Sequence, residues 1–188
     1  MTRIIQIRGV HGTGKTTAVR EFCARHNMTV EKQKTGAKAF NCTSGDGVVV
    51  IGRYDKNECG GVDAEIRSGE DLRNLVASIV RKKRPEVLLF EGVMYGHTFK
   101  FSYDISVLAK ALGAGYTALC FVPPLEFAIE NVYRRNGGKD VNIKAMSDKY
   151  RAGIVADAKL RAVGVNMVQV DTSKYKPEQM WELIEEQL

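Results

Sequence analysis

No apolar run in this 188-residue chain approaches the roughly 20 residues that a helix needs to cross a bilayer, so a membrane partner is not expected. A secretory signal is not expected either. MTRIIQIRGV is a short strand that meets glycine at once, without a long apolar core. Cysteines are few, and Cys23, Cys42, Cys59 and Cys120 form neither a CxxC pair nor a metal-ligand spacing. They read as reduced thiols of a cytoplasmic protein. Repeats, linkers and low-complexity segments are absent, which leaves one domain over residues 1–188. Wholesale disorder is excluded, because 44% hydrophobic against 27% charged residues can build a core. Acids are outnumbered: 28 Lys and Arg face 22 Asp and Glu, a net charge of +6. That excess favours an anionic partner such as a nucleotide, a nucleic acid or an acidic surface, although modest basicity also simply keeps a protein soluble.

What is present alternates in type along the chain. RIIQIR (3–8) reads as a strand, and residues 15–26 place Ala18, Val19 and Phe22 at helical spacing. The polar stretch 27–46 is irregular, with MTVEKQK and KAFNC as candidates for short strands. VVVIG (48–52), EVLLFEG, YTALCFV and VNMVQV are runs of the kind buried in a sheet. The glycine-rich RYDKNECGGVDAEIRSGE reads as a loop. Helices are predicted over 70–83, 102–112, 125–135, 142–162 and 177–187; Pro85 stops the first, and Gly113 and Gly115 mark the end of the second. Strands apolar on both faces and alternating with helices predict an α/β fold. A parallel sheet of about five strands would lie between two helical layers.

The chemistry-bearing signal lies between the first strand and the first helix. Gly9-Val10-His11-Gly12-Thr13-Gly14-Lys15-Thr16 fits G-x-x-x-x-G-K-[ST] at every fixed position, with strand before and helix after. The glycines let backbone N–H groups turn inward on a phosphate, and the helix N-terminus adds its positive dipole end. Lys15 then bridges the β- and γ-phosphates of ATP or GTP, and Thr16 offers a hydroxyl to Mg²⁺. Gly9, Gly12, Thr13, Gly14, Lys15, Thr16 and Thr17 are the expected nucleotide-binding set. The expected architecture is the three-layer sandwich of P-loop NTPases. A guanine-reading NKxD motif is missing, which argues against a GTPase.

The chain resembles the small P-loop kinases, meaning the nucleoside monophosphate kinases and phage polynucleotide kinases. The P-loop carries the likeness first. NVYRRNGGKDVNIKAMSDKY (131–150) is similar to the lid of polynucleotide-kinase-like enzymes, and VQVDTSKYKPEQMWELI (168–184) to their closing strand and helix. The resemblance implies a small lid near 134–142, in which Arg134 and Arg135 supply positive charge to the moving phosphoryl group. Adjacent residues on a helix point about 100° apart, so one can reach phosphate while the other packs or pairs. Gly137-Gly138 would be the hinge; Lys139 stands where the family often has a second arginine. The resemblance also puts Asp171 and Thr172 beside the adenine and Glu91 where aspartate is the common metal-site residue; the metal sphere is preferred for Glu91, with orienting the acceptor or capping the next turn as the alternatives. A base near the acceptor hydroxyl is expected between the second core strand and the next helix. Asp63, after Gly60-Gly61, is preferred there and Asp55 is the reserve; either also suits a loop-capping aspartate.

GRYDKNECGGVD resembles, in addition, the small phage kinases that phosphorylate hydroxymethyluracil within DNA. Such an acceptor implies a basic groove and a flipped base. Tyr54, Tyr95, Phe99, Phe101 and Tyr103 are candidates to stack on that base, or else core aromatics. Arg81, Lys82, Lys83 and Arg84, with Lys32, Lys34 and Lys38, are candidates for phosphate contacts. The expected activity is ATP- and Mg²⁺-dependent transfer to a hydroxyl on DNA or a nucleotide. The alternatives are a kinase of free nucleosides or nucleotides, and a regulatory NTP-binding protein without transfer.

Overall fold

In the computed structural model, which describes residues 1–55, 59–66 and 68–188 (Cys59 by its backbone alone), β1 (Arg3–Arg8) is an interior strand of a seven-stranded sheet. Residues 56–58 and 67 of the glycine-rich stretch, and the side chain of Cys59, lie outside the described residues. After β1 come α1 (Lys15–Arg25), β2 (Thr29–Thr35), β3 (Lys38–Gly45) and β4 (Val48–Ile51). The short pair β5 (Arg53–Tyr54) and β6 (Cys59–Gly60) leads to the one-turn helix α2 (Val62–Glu65) and to α3 (Gly69–Lys82). Then follow β7 (Val87–Glu91), α4 (Val93–Gly96), α5 (Phe99–Ala111), β8 (Gly115–Phe121), α6 (Leu125–Arg135), α7 (Ile143–Ala162), β9 (Asn166–Val170) and α8 (Glu182–Glu185).

The sheet order is β2-β3-β4-β7-β1-β8-β9. β4, β7, β1, β8 and β9 pair in parallel, with Ile5 of β1 level with Leu89 and Thr117. These are the five strands expected from the apolar runs. The polar stretch 27–46 adds two more as an antiparallel hairpin on the edge. Its strands are weak in sequence because an edge strand with open faces needs little apolar side chain. The predicted last helix is also altered. Pro177 opens a 3₁₀ turn, Pro177–Gln179, and the α-helix proper covers only Glu182–Glu185.

Helices cover both faces. Ile5, Ile7, Leu89, Leu119 and Phe121 pack against α1 and α8 through Ala18, Val19, Phe22, Leu183 and Ile184. On the other face Ile4, Leu88, Phe90 and Ile51 meet the stripe Leu72, Leu75, Val76 and Ile79 of α3, with Ile105 of α5. Ser68 caps α3, its side chain accepting from Asp71 N at 3.1 Å. Such a cap contributes about 1 kcal/mol. Cys42 and Cys120 are buried free thiols; burial pushes the Cys42 pKa up to about 12 and that of Cys120 upward too, so both stay protonated and inert. Among the described residues no helix is long and apolar enough to cross a membrane.

β1 hides two polar residues under its helices. Gln6 Nε2 donates to Tyr95 O at 3.3 Å. Arg8, 1% exposed, donates from Nε to Asp157 Oδ1 of α7 at 2.8 Å and from Nη1 to Ser102 Oγ of α5. This pair ties the strand that enters the P-loop to two helices. Asp157→Ala leaves the guanidinium buried without its counter-charge, and is expected to cost about 3–5 kcal/mol in urea unfolding. Arg8→Met with Asp157→Leu should cost less, since no charge is then stranded. A single-variant loss below about 1 kcal/mol would show the pair to be dispensable.

Candidate active site

The parallel strands deliver their loops to one edge of the sheet, and the cavity lies at that edge beside β1, where the chain switches direction across the sheet. It has a volume of about 690 Å³. Gly9, Gly12 and Gly14 all have positive φ, at 142°, 77° and 88°, so the loop before α1 follows a course that L side chains rarely adopt. At Gly12 there is also no room, because a Cβ would meet the Ala128 carbonyl of α6. The loop is pinned from inside. Val10 O accepts from Thr13 Oγ1 at 3.0 Å and from Lys15 Nζ at 2.8 Å. Asn131 Nδ2 donates to Gly12 O at 2.9 Å, and Thr172 Oγ1 to Thr13 O at 2.9 Å.

Lys15 is 4% exposed. Burial pushes its pKa down, Glu91 and Asp63 pull it back up, and Arg135 opposes them. Two carboxylates therefore keep a cation at the point where phosphate charge would concentrate. Burial likewise lowers His11, helped by Lys15, Lys149 and Arg135 and resisted by Asp63. Its imidazole is thus neutral near pH 7 and adds no charge to the loop.

Glu91 closes β7. Its Oε1 accepts from Thr16 Oγ1 and from Tyr54 OH, both at 3.0 Å. The Gly60-Gly61 turn permits this packing: a Cβ on Gly61 would collide with the Glu91 carboxylate. Two residues on, Asp63 Oδ2 accepts from Val93 N at 2.5 Å and Met94 N at 3.1 Å. Its Oδ1 is buried and has no hydrogen-bond partner among the described residues. Asp63 lines the cavity; Asp55 does not, and pairs with Arg53 at 2.7 Å.

The third wall comes from α6. Phe127, Asn131, Arg134 and Arg135 fall at helical spacing and all line the cavity. Arg134 also pairs with Glu130 at 3.2 Å, with both side chains 64% exposed, so the pair adds little stability and leaves the arginine available. Gly137 and Gly138, at φ 66° and 80°, turn the chain toward α7, and Lys139 is exposed. On the opposite side the lining is Thr172, Tyr175, Lys176, Pro177 and Met180.

The expected site residues thus converge, with exceptions. Gly12, Thr13, Gly14, Lys15, Thr16, Thr17, Asp63, Glu91, Arg134, Arg135 and Thr172 all line one cavity. Gly9 shapes the loop from outside it. Asp171 is outside too, and its Oδ1 accepts from Ser173 N at 3.1 Å and Ser173 Oγ at 2.6 Å, capping a 3₁₀ turn. Tyr54 and Tyr95 belong to the core, Phe101 packs against it, and Phe99 stacks on Tyr103 away from the cavity. None of these five lines the cavity; the aromatic rings that do are Phe127 and Tyr175. Asn131, Tyr54 as a partner of Glu91, and Met180 beneath Gly14 had no sequence signal, because each acts on a loop distant in the chain.

The residues fit a nucleoside triphosphate with Mg²⁺. A glycine cradle, a buried lysine and the apolar lining residues Phe127, Pro177 and Met180 suit phosphates and a base. Among the described residues no cluster of three metal-binding side chains exists. None is required, since Mg²⁺ is commonly held by one or two carboxylates together with substrate phosphates and water. Thr16 and Glu91 supply a hydroxyl and a carboxylate side by side.

Comparison with known proteins agrees. Residues 1–173 match the family model described as 5-hmdU DNA kinase. The chain is 27% identical over 179 residues to the 5-hmdU DNA kinase of Pseudomonas phage PaMx11, covering 90% of each. It is 28% identical over 157 residues to that of Pseudomonas phage M6, covering 79% of this chain and 80% of the relative. Against the 5-hmdU DNA kinase of Delftia phage PhiW-14 it is 31% identical over 110 residues, 54% of this chain and 41% of that longer relative. A tunicamycin resistance protein from Deinococcus radiodurans shares the fold, with TM-score 0.54 and 18% identity over 100% of this chain and 95% of its own. The chain is a P-loop kinase and belongs to the 5-hmdU DNA kinase family.

Proposed function

We propose that the chain transfers the γ-phosphoryl group of ATP, with Mg²⁺, to the hydroxymethyl oxygen of 5-hydroxymethyluracil in DNA. The observation that carries this reading is Asp63, which lines the same cavity as the P-loop lysine and has a buried Oδ1 without a hydrogen-bond partner among the described residues. A carboxylate so placed has one oxygen fixed by backbone N–H groups and one free to take a proton. When bound, ATP supplies the phosphoryl group, and Mg²⁺ neutralises charge on its oxygens. Thr16 and Glu91 would hold the metal, and Thr172, Tyr175 and Pro177 would border the base. Asp63 Oδ1 takes the proton of the acceptor hydroxyl as its oxygen bonds to phosphorus and the bond to ADP breaks. Lys15, Arg134 and Arg135 stabilise the charge on the moving group. Arg134, Arg135 and the turn 136–142 act as the lid.

In duplex DNA the C5 substituent of the pyrimidine faces the major groove. A hydroxymethyl group there reaches the cavity most simply if the nucleotide is extruded. Incubation with γ-labelled ATP and, separately, a hydroxymethyluracil duplex, the matching thymine duplex, 5′ ends and free nucleosides tests the reading. Label only in the hydroxymethyluracil duplex is expected. Brisk labelling of free nucleosides with none in DNA would replace this reading by that of a metabolite kinase.

A further inference from the structure

The β2–β3 hairpin takes no part in the cavity lining, yet it reaches the same edge of the sheet. β3 pairs with β4 only from Cys42↔Ile51 to Gly45↔Val48, so residues 38–41 run on beyond the end of β4. At about 3.4 Å per residue, this overhang is about 14 Å. Glu65 of α2 binds it: Oε2 accepts from Asn41 N and Oε1 from Asn41 Nδ2, both at 3.0 Å. The projecting arm is therefore bonded to the one-turn helix that carries Asp63.

The arm's two faces differ. Toward α3, Glu31 is bonded to Lys83 and Ser44, Lys38 Nζ sits 2.7 Å from both carboxylate oxygens of Asp71, and Phe40 is buried. On the other face Lys32 and Lys34 are exposed, level with Asn41 and Ala39. Neither lysine has an ion-pair partner among the described residues. They project from alternate positions of one strand, about 6.8 Å apart, on the scale of successive phosphates along one nucleic-acid strand. The other basic cluster is placed differently. Arg81, Lys82, Lys83 and Arg84 end α3 and precede β7, so they lie at the N-terminal edge of the parallel strands, opposite the cavity.

Resting on the DNA reading above, we infer that the β2–β3 hairpin is the DNA-guiding arm of the enzyme. Lys32 and Lys34 hold backbone phosphates beside the acceptor nucleotide. The Asn41–Glu65 bonds register the arm to Asp63. Lys38, neutralised by Asp71, and the cluster at 81–84 take no part.

The test measures affinity by fluorescence anisotropy for a labelled duplex with one hydroxymethyluracil, across salt, alongside phosphorylation of the same duplex. Lys32→Ala with Lys34→Ala should flatten the slope of log K against log salt by about 1.8, at about 0.9 per lost phosphate contact. Between 50 and 200 mM salt the variant's loss of affinity is then about twelvefold smaller than that of the wild type. KM for ATP should be unchanged. Arg81→Ala with Lys82→Ala should keep the wild-type slope. A wild type that binds and phosphorylates the duplex, with an unchanged slope in the Lys32/Lys34 variant, overturns the arm and leaves the DNA kinase standing. The same unchanged slope with new self-association would reduce the two lysines to guards of an exposed edge strand, which also overturns it. A wild type that neither binds nor phosphorylates the duplex overturns the DNA reading, and the arm with it.

Discussion

Lys15→Ala is expected to lower kcat by about 10²–10³ while the protein remains folded, since removal of one preorganised donor at a developing charge has an effect of that size. Lys15 is buried, and its ammonium is held on Val10 O at 2.8 Å between the flanking carboxylates Glu91 and Asp63. Burial and the bond to Val10 O hold it within the loop. Lys15→Arg should not rescue activity. A planar guanidinium is larger than the ammonium and cannot replace a point charge in so tight a loop. Single-turnover transfer to a hydroxymethyluracil duplex, with circular dichroism to verify folding, checks both variants. Transfer by Lys15→Ala close to wild type would refute the role given to this lysine.

Asp63→Asn should lower kcat by about 10²–10⁴, the usual worth of general-base catalysis, and change KM for ATP by no more than a few-fold. The amide keeps an oxygen for the Val93 and Met94 N–H groups, so α2 and α4 stay joined. What it loses is the capacity to take a proton at the position of Oδ1. In the role proposed for Asp63 the acceptor and not the nucleotide meets that oxygen, so the loss belongs to kcat. Asp55→Asn breaks a partly exposed pair with Arg53 outside the cavity and should be mild. A crippled Asp55 variant beside a mild Asp63 variant would reverse the two roles.

These two residues also mark how differently a site can be read from its chain. The P-loop needs eight consecutive residues, and its geometry follows from local sterics: glycine at positive φ, then a helix N-terminus. Lys15 and Thr16 were therefore legible without a fold. Asp63 and Asp55 sit in one polar segment, where only the Gly60-Gly61 turn favours Asp63. The choice between them rests on Gly61 packing on Glu91 and on the Asp63 bonds to α4, contacts made across 30 residues of chain. Glu91 itself was legible as the end of a buried strand, but its hydroxyl partners Thr16 and Tyr54 were not.

By itself the sequence determined the phosphate loop, the parallel core strands, the long helices and the convergence of strand-end residues on one edge. Each of these depends on hydrophobic period, turn chemistry or the handed connection between neighbouring strands, and those are short-range or topological rules. Tertiary structure alone decided which polar residues the core would bury and which charges would stand at the cavity edge of the sheet. Nothing in RIIQIR marks Arg8 for burial; Asp157, 149 positions away, is what folds onto it. The four cations at 81–84 read as a nucleic-acid contact until β7 carries the chain from them to the far edge of the sheet. Lys32, Lys34 and Lys38 read alike as candidates for phosphate contacts until pairing with β3 lifts Lys32 and Lys34 past the end of β4 and Asp71 takes up Lys38. Charge and burial are properties of position in space, and these positions are set by contacts between segments that carry no mark of one another.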